Sequence, residues 1–126
     1  MPKVKFKRLD HVQICIPKGK ESEARKFYCE ILGLKEIPKP EELINNGGLW
    51  FEICNIQLHI GVEDGVNKNT KNHPAFEIEN LSEARKYFEE KGISINEEIK
   101  IPAMKRFSFR DPFGNRIELL EKLVLH

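Results

Sequence analysis

One pentapeptide occurs twice in this chain, and it restricts the possible folds more than any other feature. SEARK stands at Ser22–Lys26 and again at Ser82–Lys86. Each copy is followed by an aromatic pair, Phe27-Tyr28 and then Tyr87-Phe88. Each is preceded by a short alternating run that opens on a histidine, "HVQICIP" from His11 and "HPAFEIE" from His73. Recurrence of strand, helix, aromatic pair and glycine at half the length of a 126-residue chain points to tandem modules of one supersecondary unit.

In the first module, Val12, Ile14 and Ile16 alternate with His11, Gln13 and Cys15, the period of a strand. Ala24, Phe27, Tyr28, Ile31 and Leu32 form a stripe at helical spacing, which predicts a helix from about Glu21 to Leu32, stopped by Gly33. "LKEI", "LWFEIC" and "IQLHIGV" are predicted strands, the last two joined by a tight turn around Asn55. In the second module, "HPAFEIE" is a strand in which Pro74 is tolerated near the start. Asn80 is placed to cap the next helix, with Glu83 three residues on. Gly92 ends that helix, and "ISINEE", "KRFSFR" and "NRIELLEKL" follow as strands, with "DPFGN" as the last turn. The basic start "KVKFKR" alternates like a solvated edge strand.

The expected fold class is therefore α+β, built as βαβββ twice. Module one covers about 8–62 and module two about 73–122 of a single domain, 1–126, with 63–72 as linker. Two such sheets placed side by side form a curved, half-closed barrel with helices outside, whose inner face would take a ligand.

Composition excludes several classes. A net charge of +1 gives no basis for nucleic acid or an acidic membrane surface. No apolar run approaches the ~18 residues of a membrane span, and no signal-peptide pattern opens the chain. Cys15, Cys29 and Cys54 form no CxxC pair; they suit a reduced, cytoplasmic protein in which each is a small buried apolar residue.

The alternation also sorts the polar residues. His11, His59, His73 and Glu118 each oppose the helix-facing side chains of their strands. They match under the repeat, His11 with His73 and His59 with Glu118; the fourth histidine is the terminal His126. Imidazole and carboxylate donors suit one divalent ion, Zn²⁺, Ni²⁺, Fe²⁺, Co²⁺ or Mn²⁺, and two histidines with one carboxylate leave positions open for substrate and water. A histidine at a strand start is otherwise an ordinary hydrogen-bonded residue, and Glu118 alone an ordinary solvated one.

With "LDHVQICIP", "ARKFYCEILGL", "QLHIGVE", "HPAFEIENLSEARKYFEEKG" and "DPFGNRIELLE" in this order, the chain resembles the glyoxalase/bleomycin resistance/extradiol dioxygenase superfamily, the vicinal oxygen chelate proteins, from about Leu9 to Lys122. The resemblance implies metal ligands on the first, fourth, fifth and eighth strands, at His11, His59, His73 and Glu118. His11, His73 and Glu118 look like the two-histidine, one-glutamate set of extradiol dioxygenases and fosfomycin resistance enzymes. Glyoxalase I usually has a carboxylate or glutamine where this chain has His59, which is then either a fourth ligand or a catalytic base. The resemblance implies a metal-dependent enzyme, of lyase, thiol-conjugate transferase or dioxygenase type, that chelates adjacent oxygens of a small molecule. Gln13, Gln57 and Arg116 are candidates for orienting the substrate, and Trp50, Phe107 and Phe109 for its pocket wall. The alternative is a metal-free, bleomycin-resistance-like protein that sequesters a small molecule. A homodimer is expected on either reading.

Overall fold

The computed structural model describes residues 3–65 and 70–124. The chain divides into two compact units, Met1–Gly65 and Val66–His126. The terminal His126 and residues 66–69 of the expected linker lie outside the described residues.

The first unit runs β1 (His11–Ile16), α1 (Glu21–Arg25), β2 (Lys35–Ile37), a 3₁₀ turn (Glu41–Asn46), β3 (Leu49–Ile53) and β4 (Ile56–Val62). Its sheet has the order β1-β4-β3-β2, with β1 parallel to β4 and the other pairs antiparallel. The second unit runs β5 (Ala75–Glu77), α2 (Leu81–Glu90), β6 (Asn96–Glu97), β7 (Met104–Arg110) and β8 (Arg116–Lys122). The order is again β5-β8-β7-β6, with β5 parallel to β8. Both units are βαβββ, and the fold is α+β with two four-stranded mixed sheets.

Apolar side chains between helix and sheet hold each unit. In the first, Tyr28 is fully buried, edge-on to Phe27 at 5.1 Å and 5.8 Å from Phe51. In the second, Phe88 of α2 meets Phe107 and Phe109 of β7 edge-to-face at 5.8 and 4.8 Å. Burying each such ring stabilises its unit by roughly 1.5–3 kcal/mol. Both helices stop at a glycine in the left-handed region, Gly33 at φ 75° and Gly92 at φ 74°.

Three expectations need correction. Residues 3–10 belong to no strand; Val4 and Phe6 are 60% and 89% exposed. Alternation yields a strand only where an edge is there to pair with. Here Arg8 fastens the segment instead, donating from Nη1 to the Asn55 carbonyl at 2.9 Å. The first helix is α-helical only to Arg25 and continues as a π-helix over Lys26–Ile31, where Leu32 donates to the Phe27 carbonyl. The cysteines are not core residues: Cys15 and Cys29 are half-buried, and Cys54 is exposed at φ 51° in the β3–β4 turn. No helix among the described residues is long and apolar enough to cross a membrane.

Candidate metal centre

The sheet registers put two sets of polar side chains on the faces turned away from the helices. In the first unit, His59 lies between Gln13 of β1 and Trp50 of β3. Strand alternation brings Gln57 and His11 to the same face. The rings of Trp50 and His59 stack at 3.9 Å and 4°, and those of His59 and His11 at 4.0 Å and 17°. His59 Nε2 lies 2.8 Å from Gln57 Oε1. With that amide oxygen turned inward, Nε2 carries the proton and donates. Burial first, and the neighbouring His11 second, lower the His59 pKa below its ordinary 6.5.

His11 opens β1 with its ring partly exposed, and its Nδ1 lies 2.9 Å from Asp10 Oδ2. That hydrogen bond leads the causes that hold the Asp10 carboxyl below its usual range, with Arg8 adding to it. The ionised carboxylate accepts, so Nδ1 carries a proton and donates. Gln13 lies over Gly61, where a Cβ would stand 2.8 Å from its amide nitrogen, the movable end of a flexible side chain.

In the second unit, Glu118 pairs with Ala75 of β5 and Ser108 of β7. Pro74, whose carbonyl accepts from the Glu118 amide at 3.0 Å, sets His73 beside it. A proline at this place costs no ladder bond, and it holds the preceding residue extended. His73 Nδ1 donates to the Lys71 carbonyl at 2.9 Å, and Nε2 lies 3.4 Å from Glu118 Oε1. Glu118 is 5% exposed, and Arg106 Nη1 reaches the same oxygen at 3.1 Å. Beyond it, buried Ser108 donates to Glu98 at 2.6 Å, and Arg116 pairs with that carboxylate at 2.8 Å.

Each expected residue thus has a definite place. His11, His59, Trp50 and Gln57 come together in one unit, and His73 and Glu118 in the other. Arg116 is engaged by Glu98. Phe107 and Phe109 are wholly buried against α2, on the other face of their sheet from Glu118, so they are core rather than pocket wall. Among the described residues, no three His, Cys, Asp or Glu side chains are gathered as metal ligands. Sequence reasoning missed Asp10 and Arg106. Asp10 adjoins His11 in the chain, which is a usable signal; Arg106 reaches Glu118 only through the hairpin register.

These donors fit a divalent metal. His73 Nε2 faces a buried carboxylate oxygen, and its Nδ1 is taken by the Lys71 carbonyl. Donors at about 2.1 Å from a tetrahedral ion lie about 3.4 Å apart, the separation observed here. A carboxylate or carbonyl on the second nitrogen, as on His11 and His73, is the usual outer support of a ligating imidazole.

Residues 8–119 match the family model of the Glyoxalase/Bleomycin resistance protein/Dioxygenase superfamily. A glyoxalase family protein from Bacillus anthracis is 43% identical, with a TM-score of 0.90 over 96% of this chain and 99% of that one. A glyoxalase/dioxygenase from Nostoc punctiforme is 22% identical, with a TM-score of 0.78 over 98% and 97%. The fosfomycin resistance protein FosX from Listeria monocytogenes is 18% identical, with a TM-score of 0.74 over 95% and 97%. These last two are likenesses of fold. No curated protein sequence matches the chain. The repeated βαβββ unit and the family match over nearly its whole length agree: this chain belongs to the glyoxalase/bleomycin resistance protein/dioxygenase superfamily.

Proposed function

We propose that this protein is a metal-dependent enzyme acting on a small molecule with adjacent oxygens, and that His11, His73 and Glu118 are its metal ligands. The observation that carries this reading is the His73 Nε2 facing Glu118 Oε1 at 3.4 Å, with Nδ1 already committed to the Lys71 carbonyl. Members of the superfamily commonly use a divalent metal, and these donors suit Zn²⁺, Ni²⁺, Fe²⁺, Co²⁺ or Mn²⁺. Bound there, the ion would act as a Lewis acid on the substrate's two oxygens.

The chain's own residues do the remaining work. Asp10 and the Lys71 carbonyl fix the tautomers of His11 and His73, so each offers Nε2 as a lone-pair donor. Arg106 offsets the charge of buried Glu118 while no ion is there. Gln13 presents a polar amide on the same face as His11 for orienting a substrate. The reaction is of lyase, thiol-conjugate transferase or dioxygenase type; a fosfomycin resistance protein and a glyoxalase/dioxygenase among the structural relatives support small-molecule chemistry. We assign the working form as a cytoplasmic homodimer, the assembly common in this superfamily.

Calorimetric titration with oxalate, the simplest adjacent-oxygen chelator, tests this. Metal-loaded protein is expected to bind it, and metal-free protein and Glu118→Ala are not. Equal binding with and without metal would favour a metal-free sequestering protein instead.

A further inference from the structure

We propose that His59 is not a metal ligand but a positioning residue, which with Trp50 fixes the ring plane of His11. This rests on the reading of His11 as a ligand. A ligating imidazole must aim one lone pair at the ion, and that lone pair lies in the ring plane. His11 begins its strand with its side chain 43% exposed, so the sheet alone does not hold the ring. Two contacts do. Asp10 holds Nδ1 at 2.9 Å and sets the direction of Nε2 within the plane. His59, stacked at 4.0 Å and 17°, blocks rotation of the plane itself. His59 is in turn clamped by Trp50 on its other face, at 3.9 Å and 4°, and by Gln57 at its edge. Trp50 and His59 are direct cross-strand partners, so this part of the stack is set by sheet register.

The same geometry argues against ligation by His59. Nε2 spends its hydrogen on Gln57 Oε1. The two rings, stacked nearly parallel at 4.0 Å, would aim their lone pairs along separate planes. Both imidazoles cannot direct lone pairs at one ion without dismantling the stack. Outer residues that orient a ligand are typically worth 10–100-fold in metal affinity.

The test is calorimetric titration of untagged, metal-free protein with Zn²⁺, together with the visible spectrum of the Co²⁺-loaded form. The variants are His59→Phe, which keeps a flat ring in the stack, His59→Ala and His11→Ala. His59→Ala is expected to weaken binding by roughly 10–100-fold. His59→Phe should stay within about threefold of wild type, with the Co²⁺ spectrum unchanged because no ligand is lost. If His59→Phe loses the ion as fully as His11→Ala, or its Co²⁺ spectrum changes, His59 is a ligand and the inference is wrong. Should His59→Ala fail to fold, His59→Phe alone decides. A wild type that takes up no ion overturns the metal reading itself, and with it this one; a wild type that binds while His59→Phe does not overturns only this one.

Discussion

The two units share one topology and place different chemistry on equivalent rows. Across the first sheet, β1, β4 and β3 present Gln13, His59 and Trp50 side by side; across the second, β5, β8 and β7 present Ala75, Glu118 and Ser108. Around that row the first unit uses rings and amides, joined by stacking and one amide hydrogen bond. The second uses charges in pairs, Arg106 with Glu118 and Arg116 with Glu98. A repeated fold therefore sets where side chains point, and each copy remains free to specialise. In the first copy a ring stack fixes the planes of His11 and His59. In the second a buried carboxylate is matched by a guanidinium at 3.1 Å.

That contrast is testable by removing one partner from each face. Glu118→Ala leaves Arg106 partly buried without its counter-charge, and is expected to cost about 3–5 kcal/mol in denaturant unfolding. Gln57→Ala removes only a neutral hydrogen bond and should cost about 1 kcal/mol. Replacing both members of the charged pair, in Glu118→Ala/Arg106→Met, should recover much of the loss. Equal costs for Glu118→Ala and Gln57→Ala would erase the distinction between the faces.

The charged face also predicts an acid-sensitive term. Ser108 first, and then Arg116, hold the Glu98 carboxyl below its ordinary 4.5. The folded protein thus binds that proton less readily than the unfolded chain. The resulting stability is complete above about pH 4.5 and is lost as pH falls through the lowered value. Its charge-assisted hydrogen bonds are worth on the order of 1.5–3 kcal/mol. Unfolding measured from pH 6 to pH 3 should fall less steeply for Glu98→Gln than for wild type; parallel curves would contradict the assignment.

The smallest effect lies at the helix starts. Asn80 Oδ1 accepts from the Glu83 amide at 3.0 Å, whereas Lys20 in the first unit makes no side-chain cap. Asn80→Ala is expected to cost about 1 kcal/mol, and Lys20→Ala less than about 0.5 kcal/mol. A Lys20→Ala cost as large as that of Asn80→Ala would show a cap of another kind.

Much of this was legible in the residues. Period-two alternation placed His11, His59 and Glu118 opposite the helix-facing side chains, because the period is a property of the strand itself; His73 precedes β5 and is set by Pro74. The Asn80 cap was legible because it is local. What depends on pairing was not. Phe107 and Phe109 fall in the core and not the pocket wall because the phase of β7 relative to β8 is fixed only by the hairpin register, Ser108 with Glu118. The Arg106–Glu118 pair was hidden for the same reason. The π-helical turn at Lys26–Ile31 follows the same apolar stripe as an α-helix and has no signature of its own. The N-terminal alternation misled because a strand also needs an edge to join.

Metal content tests the central claim most directly. Wild type, His73→Ala and Glu118→Ala should be purified without a histidine tag, loaded with each candidate divalent ion, desalted, and measured by elemental analysis. The account predicts about one ion per chain in wild type and essentially none in either variant. A wild type that retains no ion under any loading, or a His73→Ala that retains as much as wild type, would contradict it.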